Sequence, residues 1–203
     1  MCQERRPGPL PLERFQNPRE RPFATGRSRN ALPHLYKVGC SYFVTFCLQD
    51  AVSAKALRRQ HLNESDEPHV IAGRSEPPSA AGTCLLQRPA AAAIVEDGLL
   101  HFQGERFALH AWVVMPNHVH GVITPFEEFP LSEILHSWKS FTSNRINREL
   151  GRTGTLWQAD SFDHLIRNEE SFSKFVAYTE GNPVAATLCG KPEAWAFSSA
   201  RLR

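Results

Sequence analysis

The sequence predicts an α+β protein: a ferredoxin-like antiparallel sheet with helices on one face and an added C-terminal helix that bears a tyrosine. Three observations predict it. Two dense apolar runs are split by a short turn, helical periodicity precedes and follows them, and the elements run strand, helix, strand, strand, helix, strand, helix. With 203 residues and 41% hydrophobic content, the chain has the size of one domain with a sizeable core.

The first half of this pattern contains three strands and a helix. Residues 42–48 are β-branched and aromatic, which predicts a strand, and residues 89–102 open with proline and continue rich in alanine, which predicts a helix. Residues 107–114 and 118–124 are the densest apolar runs. The Met-Pro-Asn sequence at 115–117 favours a turn, so we expect a hairpin.

The second half contains a long helix, a short strand and a last helix. Apolar residues recur at three- and four-residue steps and predict an amphipathic helix over 130–150: Leu131, Ile134, Leu135, Trp138 and Phe141. A short strand is expected over 162–167. The last helix begins near Asn168, with Glu169 and Glu170 in its first turn, where the helix dipole favours carboxylates.

Two segments lack a hydrophobic period. Residues 1–30 hold seven Arg and three Glu among several prolines and predict a flexible basic arm, and residues 50–83 predict a mobile polar insertion. The arm precedes a single domain over 31–203. A net charge of +2 does not by itself indicate nucleic acid, but the local excess of cations over 136–152 suits phosphate contact. A solvated helix face would show the same charges.

Cysteine usage and hydropathy indicate the compartment. Five scattered cysteines without C-x-x-C spacing argue against a disulfide framework or a zinc ribbon and favour a reducing, cytoplasmic environment. No apolar run approaches the length of a membrane span, so no membrane partner is expected.

Two histidines stand at i and i+2 of the second hairpin strand. Side chains at that spacing point to the same face, so His118 and His120 can bind one divalent metal ion together. Two ordinary strand histidines would have the same spacing, and a two-histidine site needs a further ligand from elsewhere in the fold.

A tyrosine in the last helix is the second candidate. Phe172, Phe175, Val176 and Thr179 form an apolar stripe, and Tyr178 falls about 120° from its middle, which predicts a tyrosine outside the core. Asn182 shares a face with Tyr178 if the helix persists, although the following proline disfavours helix there. His164, in the strand before this helix, is a weaker candidate.

The segment AWVVMPNHVH at 111–120 resembles the signature of the HUH single-tyrosine transposases, and more narrowly that of the REP-associated branch. Further segments agree in order over roughly residues 28–202: 32–34 (LPH), 42–46 (YFVTF), 137–140 (SWKS), 156–158 (LWQ), 162–167 (FDHLIR), 178–184 (YTEGNPV) and 195–201 (WAFSSAR). Gly181 and the run after Pro183 depart from the usual pattern, which leaves the ligand motif intact.

The resemblance implies a metal-dependent, transposase-like enzyme that cleaves and rejoins single-stranded or hairpin DNA in the bacterial nucleoid, as a monomer or a homodimer. It implies Tyr178 as the nucleophile, which forms a 5′-phosphotyrosine, and His118, His120 and Asn182 as ligands of Mg²⁺ or Mn²⁺. The cations expected to contact DNA are Lys139, Arg145, Arg148 and Arg167. Trp138, Trp157 and Phe162 are candidates for base stacking.

Two other functions fit part of the same pattern. A domesticated relative would bind hairpin DNA of repetitive extragenic palindromes without cutting it, and its histidines and tyrosine would be vestigial. A metal hydrolase would use the histidine pair to activate water and would release products without a tyrosine adduct. Such an enzyme would need further carboxylate or histidine ligands, and no such residue stands at a spacing that would identify it as one.

Overall fold

The computed structural model describes residues 23–25, 35–37, 39–51 and 82–203. Most of the predicted arm, and residues 52–81 of the predicted insertion, lie outside these residues. The strands are β1 (Phe23–Thr25), β2 (Leu35–Lys37), β3 (Tyr42–Cys47), β4 (Phe107–Val114), β5 (His118–Pro125) and β6 (Phe162–Leu165). The α-helices are α1 (Pro89–Leu100), α2 (Leu131–Glu149) and α3 (Glu169–Ala185).

The predicted ferredoxin-like sheet is confirmed. Four strands lie in the order β4-β5-β3-β6, and every neighbouring pair is antiparallel. Strands β1 and β2 form a separate two-stranded pair. In the main sheet β5 is central, and its residues His118 and His120 stand opposite Cys47 and Thr45 of β3.

The two faces of the main sheet are covered by different helices. Val44, Phe46 and Trp112 pack in one core cluster with residues of α1 and α2. Phe43 and Val122, on the opposite face, pack with α3. Because strand side chains alternate between faces, the tyrosine-bearing helix covers the face that carries His118 and His120.

The apolar stripe of α2 differs from the prediction at one position. Phe141 is 45% exposed, and Thr142 is buried in its place. The reason is the close approach of α1: at Gly98 an added Cβ would lie 2.9 Å from Cγ2 of Thr142. A small side chain at 142 therefore fits this helix contact, and the bulky ring at 141 faces outward.

The segment after α3 returns to the edge of the sheet. Phe197 accepts a backbone hydrogen bond from Val114, so the tail extends the sheet beyond β4. A short 3-10 helix, Ser199–Leu202, follows, and its Arg201 forms a 2.8 Å ion pair with Glu96 of α1. The carboxylate of Glu96 is 1% exposed and also accepts a hydrogen bond from the indole of Trp112.

We expect Arg201→Ala to lower the free energy of unfolding by about 2 kcal/mol, because it leaves the buried Glu96 carboxylate without its cation. Urea denaturation measures this change. Lys174→Ala is the matched control: its ion pair with Glu170 is exposed, so its loss should cost no more than about 0.5 kcal/mol. Equal stability of the two variants would contradict a structural role for the Arg201–Glu96 pair.

Candidate active site

His118 and His120 lie side by side on β5, with their Nε2 atoms 3.1 Å apart. Both are buried, at 2% and 0% exposure. Each ring is held at its other nitrogen: His118 Nδ1 lies 2.7 Å from Asn117 Oδ1, and His120 Nδ1 lies 2.8 Å from Thr45 Oγ1. Both rings therefore turn their Nε2 atoms toward one point.

The arrangement fits a divalent metal ion. Asn117 Oδ1 can only accept, so His118 Nδ1 carries the proton and Nε2 keeps a lone pair in the neutral ring. His120 takes the same form when its Nδ1 donates to Thr45. Two nitrogens bound to one ion at about 2.1 Å lie about 3.0 Å apart at an octahedral angle and about 3.4 Å apart at a tetrahedral angle. The observed separation of 3.1 Å falls within this range.

Tyr178 lies over this pair, on α3. Its ring centroid is 5.8 Å from that of His120 and 5.7 Å from that of Phe43. Phe43 in turn stacks on His120 at 5.3 Å. The structure therefore brings the two histidines and the tyrosine of one chain into one site.

The prediction that Tyr178 lies outside the core was wrong, since it is 6% exposed and belongs to the cluster around Phe43. Helix α3 buries two rows of residues instead of one. Phe172, Val176 and Thr179 of the expected stripe form one row, and its fourth member, Phe175, forms a second row with Tyr178 and Asn182. Together the rows span about 160° at about 100° per residue, because the sheet presents a broad surface to the helix.

Asn182 lies one helical turn beyond Tyr178 and is also buried. Helix α3 continues through Pro183 to Ala185, so the shared face persists. Burial raises the pKa of Tyr178 above its usual value, and a hydrogen bond with Asn182 opposes that shift. A side-chain amide has both donors and an acceptor, so Asn182 can contact Tyr178 and still offer its carbonyl oxygen to a metal ion.

Within residues 23–25, 35–37, 39–51 and 82–203, no group of three or more His, Cys, Asp or Glu side chains could hold a metal. A third side-chain ligand among them would therefore be of another residue type, such as an amide. Asn182 has the chemistry for this role, since oxygen donors suit Mg²⁺ and Mn²⁺. Its place as a ligand stays a prediction.

The four predicted DNA-contacting cations do not form one group. Arg145 and Arg148 are exposed on α2, across the sheet from the histidines, and Arg167 is exposed immediately before α3. Lys139 has another function: its ammonium donates to the backbone carbonyls of residues 158, 159 and 160 at 3.0 to 3.1 Å. All three donors of the ammonium group are thus used, so Lys139 has none left for a DNA phosphate, and its prediction as a DNA contact was wrong.

The three candidate stacking residues also separate. Trp138 and Trp157 are buried in the core on the α1–α2 face and cannot receive a base. Phe162 is half-buried, and its ring packs edge-on against Phe43 at 6.3 Å. The weaker candidate His164 packs against Phe175 at 5.3 Å.

Sequence reasoning missed Thr45 and the orienting role of Asn117. Thr45 precedes His120 by 75 residues and is its cross-strand neighbour, so only the strand register reveals it. Asn117 was predicted only as a turn residue. Its position next to His118 in the sequence is the signal that could have indicated its role in orienting that ring.

Thr45→Val is expected to weaken Mn²⁺ binding about 10- to 100-fold, because His120 loses the partner that fixes its ring. Isothermal titration of the purified protein measures the affinity. Thr124→Val is the control, since Thr124 bonds the ring of His110 on β4 and not the histidine pair. Unchanged Mn²⁺ affinity in a folded Thr45→Val protein would exclude this orienting role.

Comparisons with known proteins agree with this geometry. Residues 101–182 match the family model described as transposase IS200 like. That segment contains both histidines and Tyr178, and it ends at Asn182. An uncharacterized protein of Haemophilus influenzae is 28% identical over a match that covers 36% of this chain and 52% of that protein. The chain thus spans about half the length of this relative.

The fold also matches a solved structure. A REP-associated tyrosine transposase bound to a REP hairpin aligns with a TM-score of 0.56 and 20% identity, over 85% of this chain and 84% of that one. Across the part of the chain that the structure describes, no helix is long and apolar enough to cross a membrane. The segment that holds the two histidines, Tyr178 and Asn182 is thus similar to IS200-like transposases, and the chain has the fold of a REP-associated tyrosine transposase.

Proposed function

We propose that the chain is a metal-dependent enzyme that cleaves and rejoins single-stranded DNA beside a hairpin through a 5′-phosphotyrosine on Tyr178. The observation that carries the proposal is the convergence of three groups. The Nε2 atoms of His118 and His120 lie 3.1 Å apart, and the Tyr178 ring lies over His120. The hairpin substrate is proposed from the DNA bound to the solved relative.

The residues of the site have distinct tasks in this reaction. His118, His120 and Asn182 would hold Mg²⁺ or Mn²⁺, which, when bound, withdraws charge from the scissile phosphate. The Tyr178 oxygen attacks phosphorus and forms an O–P bond, the bond to the 3′ oxygen breaks, and that oxygen leaves as a 3′-hydroxyl. The number of phosphoester bonds is conserved, so a later attack by a 3′-hydroxyl rejoins the strand and releases Tyr178.

Burial of Tyr178 has two consequences for the mechanism. A tyrosine hydroxyl is protonated at neutral pH, and burial raises the pKa of Tyr178 further, so the attack must release a proton while the departing 3′ oxygen gains one. An N–H donated by the Asn182 side chain to the Tyr178 oxygen would favour the phenolate and assist that loss. Because the ring is covered, DNA must also widen the contact between α3 and the sheet to reach it.

Exposed cations would hold the substrate outside the site. Arg167 precedes the tyrosine helix, and we propose that it contacts a phosphate near the cleaved bond. Arg145 and Arg148 lie on α2, on the far side of the sheet, so their proposed contacts are with more distant parts of the DNA. Such contacts position the strand without reading its sequence.

The test is incubation with a labelled single-stranded hairpin DNA carrying a 3′ and a 5′ flank, with Mg²⁺ or Mn²⁺, followed by a denaturing gel. The proposal predicts a protein–DNA adduct together with a shortened strand that ends in a 3′-hydroxyl. Binding without cleavage would favour the non-cutting hairpin binder. Cleavage without adduct would favour a hydrolase that uses the histidine pair.

A further inference from the structure

Two motif segments take no part in the site described above: 137–140 (SWKS) and 156–158 (LWQ). In the structure, side-chain hydrogen bonds connect the regions that contain these two segments. Lys139 of α2 donates to three successive carbonyls of residues 158–160, and the Trp157 indole donates to Thr142 Oγ1 of the same helix at 2.9 Å. The segment that leads into β6 is therefore fixed to α2 by side-chain donors.

The same segment is fixed on its other side to the end of β3. Gln158 donates its side-chain amide to the carbonyls of Leu48 and Ala51, at 3.0 and 2.9 Å, and its backbone amide to Cys47. Residues 156–160 thus lie between α2 and β3, with hydrogen bonds to both. We call residues 156–162 the clamped segment.

The clamped segment ends beside the candidate active site. Phe162 is the cross-strand neighbour of Thr45, which holds the ring of His120. Its half-buried ring packs against Phe43, and Phe43 stacks on His120. Phe162 is therefore a partly accessible aromatic ring next to the histidine pair, where a base flanking the cleaved phosphate could stack.

We propose that Lys139 and Gln158 are positioning residues that hold the clamped segment as a wall of the active site, so that Phe162 stacks on a base of the bound strand. This inference rests on the proposed function for the nature of the ligand, single-stranded DNA. Lys139 acts through the loop, because its three ammonium donors already bind backbone carbonyls. Burial lowers the pKa of Lys139 to about 8, so the ammonium form still prevails at pH 7.

The experiment compares Lys139→Met, Phe162→Ala and the double variant in binding a fluorescent single-stranded hairpin DNA. We expect each single variant to weaken binding about tenfold, the loss of one stacked base, and the double variant to be no weaker than Phe162→Ala alone. Lys191→Met, which removes one exposed lysine charge that makes no hydrogen bond with the clamped segment within the described residues, is the control and should bind as the wild type does.

Two further readouts separate positioning from general damage. Hydrogen exchange of the free protein should be faster over residues 156–162 in Lys139→Met, with exchange in α3 and β5 preserved. The rate of adduct formation at saturating DNA should fall by a smaller factor than the affinity. Lys139→Arg, which keeps the donors, should restore part of the affinity.

Several outcomes would overturn the inference: wild-type affinity in Phe162→Ala, additive losses in the double variant, or unchanged exchange over 156–162 in Lys139→Met. If Lys139→Met does not fold, Phe162→Ala and Gln158→Glu replace it in the binding test, and wild-type affinity in either variant overturns the inference. A wild-type protein that binds DNA but never forms an adduct would refute the proposed function instead, and the binding comparison would still decide this inference.

Discussion

Tyr178→Phe is expected to form no covalent adduct with single-stranded hairpin DNA, which corresponds to a loss of at least about 10³-fold in adduct yield. The substitution removes only the hydroxyl oxygen that attacks phosphorus. The phenyl ring keeps its contacts with Phe43 and His120, so the fold and the DNA affinity should be preserved. A denaturing gel with end-labelled DNA measures the yield.

The chain offers a matched control for this variant. Tyr42 is also buried, at the start of β3, and its hydroxyl hydrogen-bonds with the backbone amide and carbonyl of Lys37, away from the histidine pair. Tyr42→Phe therefore removes a buried phenol hydroxyl outside the site and should retain adduct formation. If Tyr178→Phe formed adduct as readily as Tyr42→Phe, another residue would be the nucleophile.

His120→Ala is expected to reduce metal-dependent cleavage about 10²- to 10³-fold and to lower Mn²⁺ affinity in the absence of DNA. One of two nitrogens that lie 3.1 Å apart is lost, and Thr45 loses its partner. Hairpin binding should survive, because the proposed phosphate contacts lie on exposed arginines. Mn²⁺ titration followed by electron paramagnetic resonance gives a readout that is independent of activity.

The control for the metal prediction is His136→Ala, which removes an exposed histidine of α2 and should leave Mn²⁺ binding as in the wild type. Equal Mn²⁺ affinity of His120→Ala and His136→Ala would exclude the histidine pair as the metal site. Loss of Mn²⁺ binding with undiminished cleavage would instead show that cleavage does not require a metal ion at this site.

The sequence was a sufficient guide where local chemistry decides the structure. The Met-Pro-Asn turn between two apolar runs predicted the β4–β5 hairpin, and the apolar period of α2 predicted its extent to within a residue or two. The order of elements then leaves few ways to arrange a four-stranded sheet. The i, i+2 spacing placed His118 and His120 on one face before any register was known.

Other features depend on contacts that are distant in sequence. Tyr178 is buried because α3 packs on a broad face of the sheet. The width of that face cannot be inferred from the apolar stripe of the helix alone. Thr45 is defined as a partner of His120 only by strand register. Lys139 was assigned to phosphate because a lysine on a polar helix face gives no sign that a loop 19 to 21 residues later supplies three carbonyls.

In the proposed reaction Tyr178 becomes covalently joined to DNA, and peptide mapping of the purified adduct can identify the joined residue. After nuclease trimming and digestion with trypsin, the peptide of residues 175–201 holds a single tyrosine, Tyr178. We expect this peptide to carry the added nucleotide phosphate, with fragment ions that place it on Tyr178. A nucleotide attached to any other residue, or cleaved DNA with no modified peptide, would contradict it.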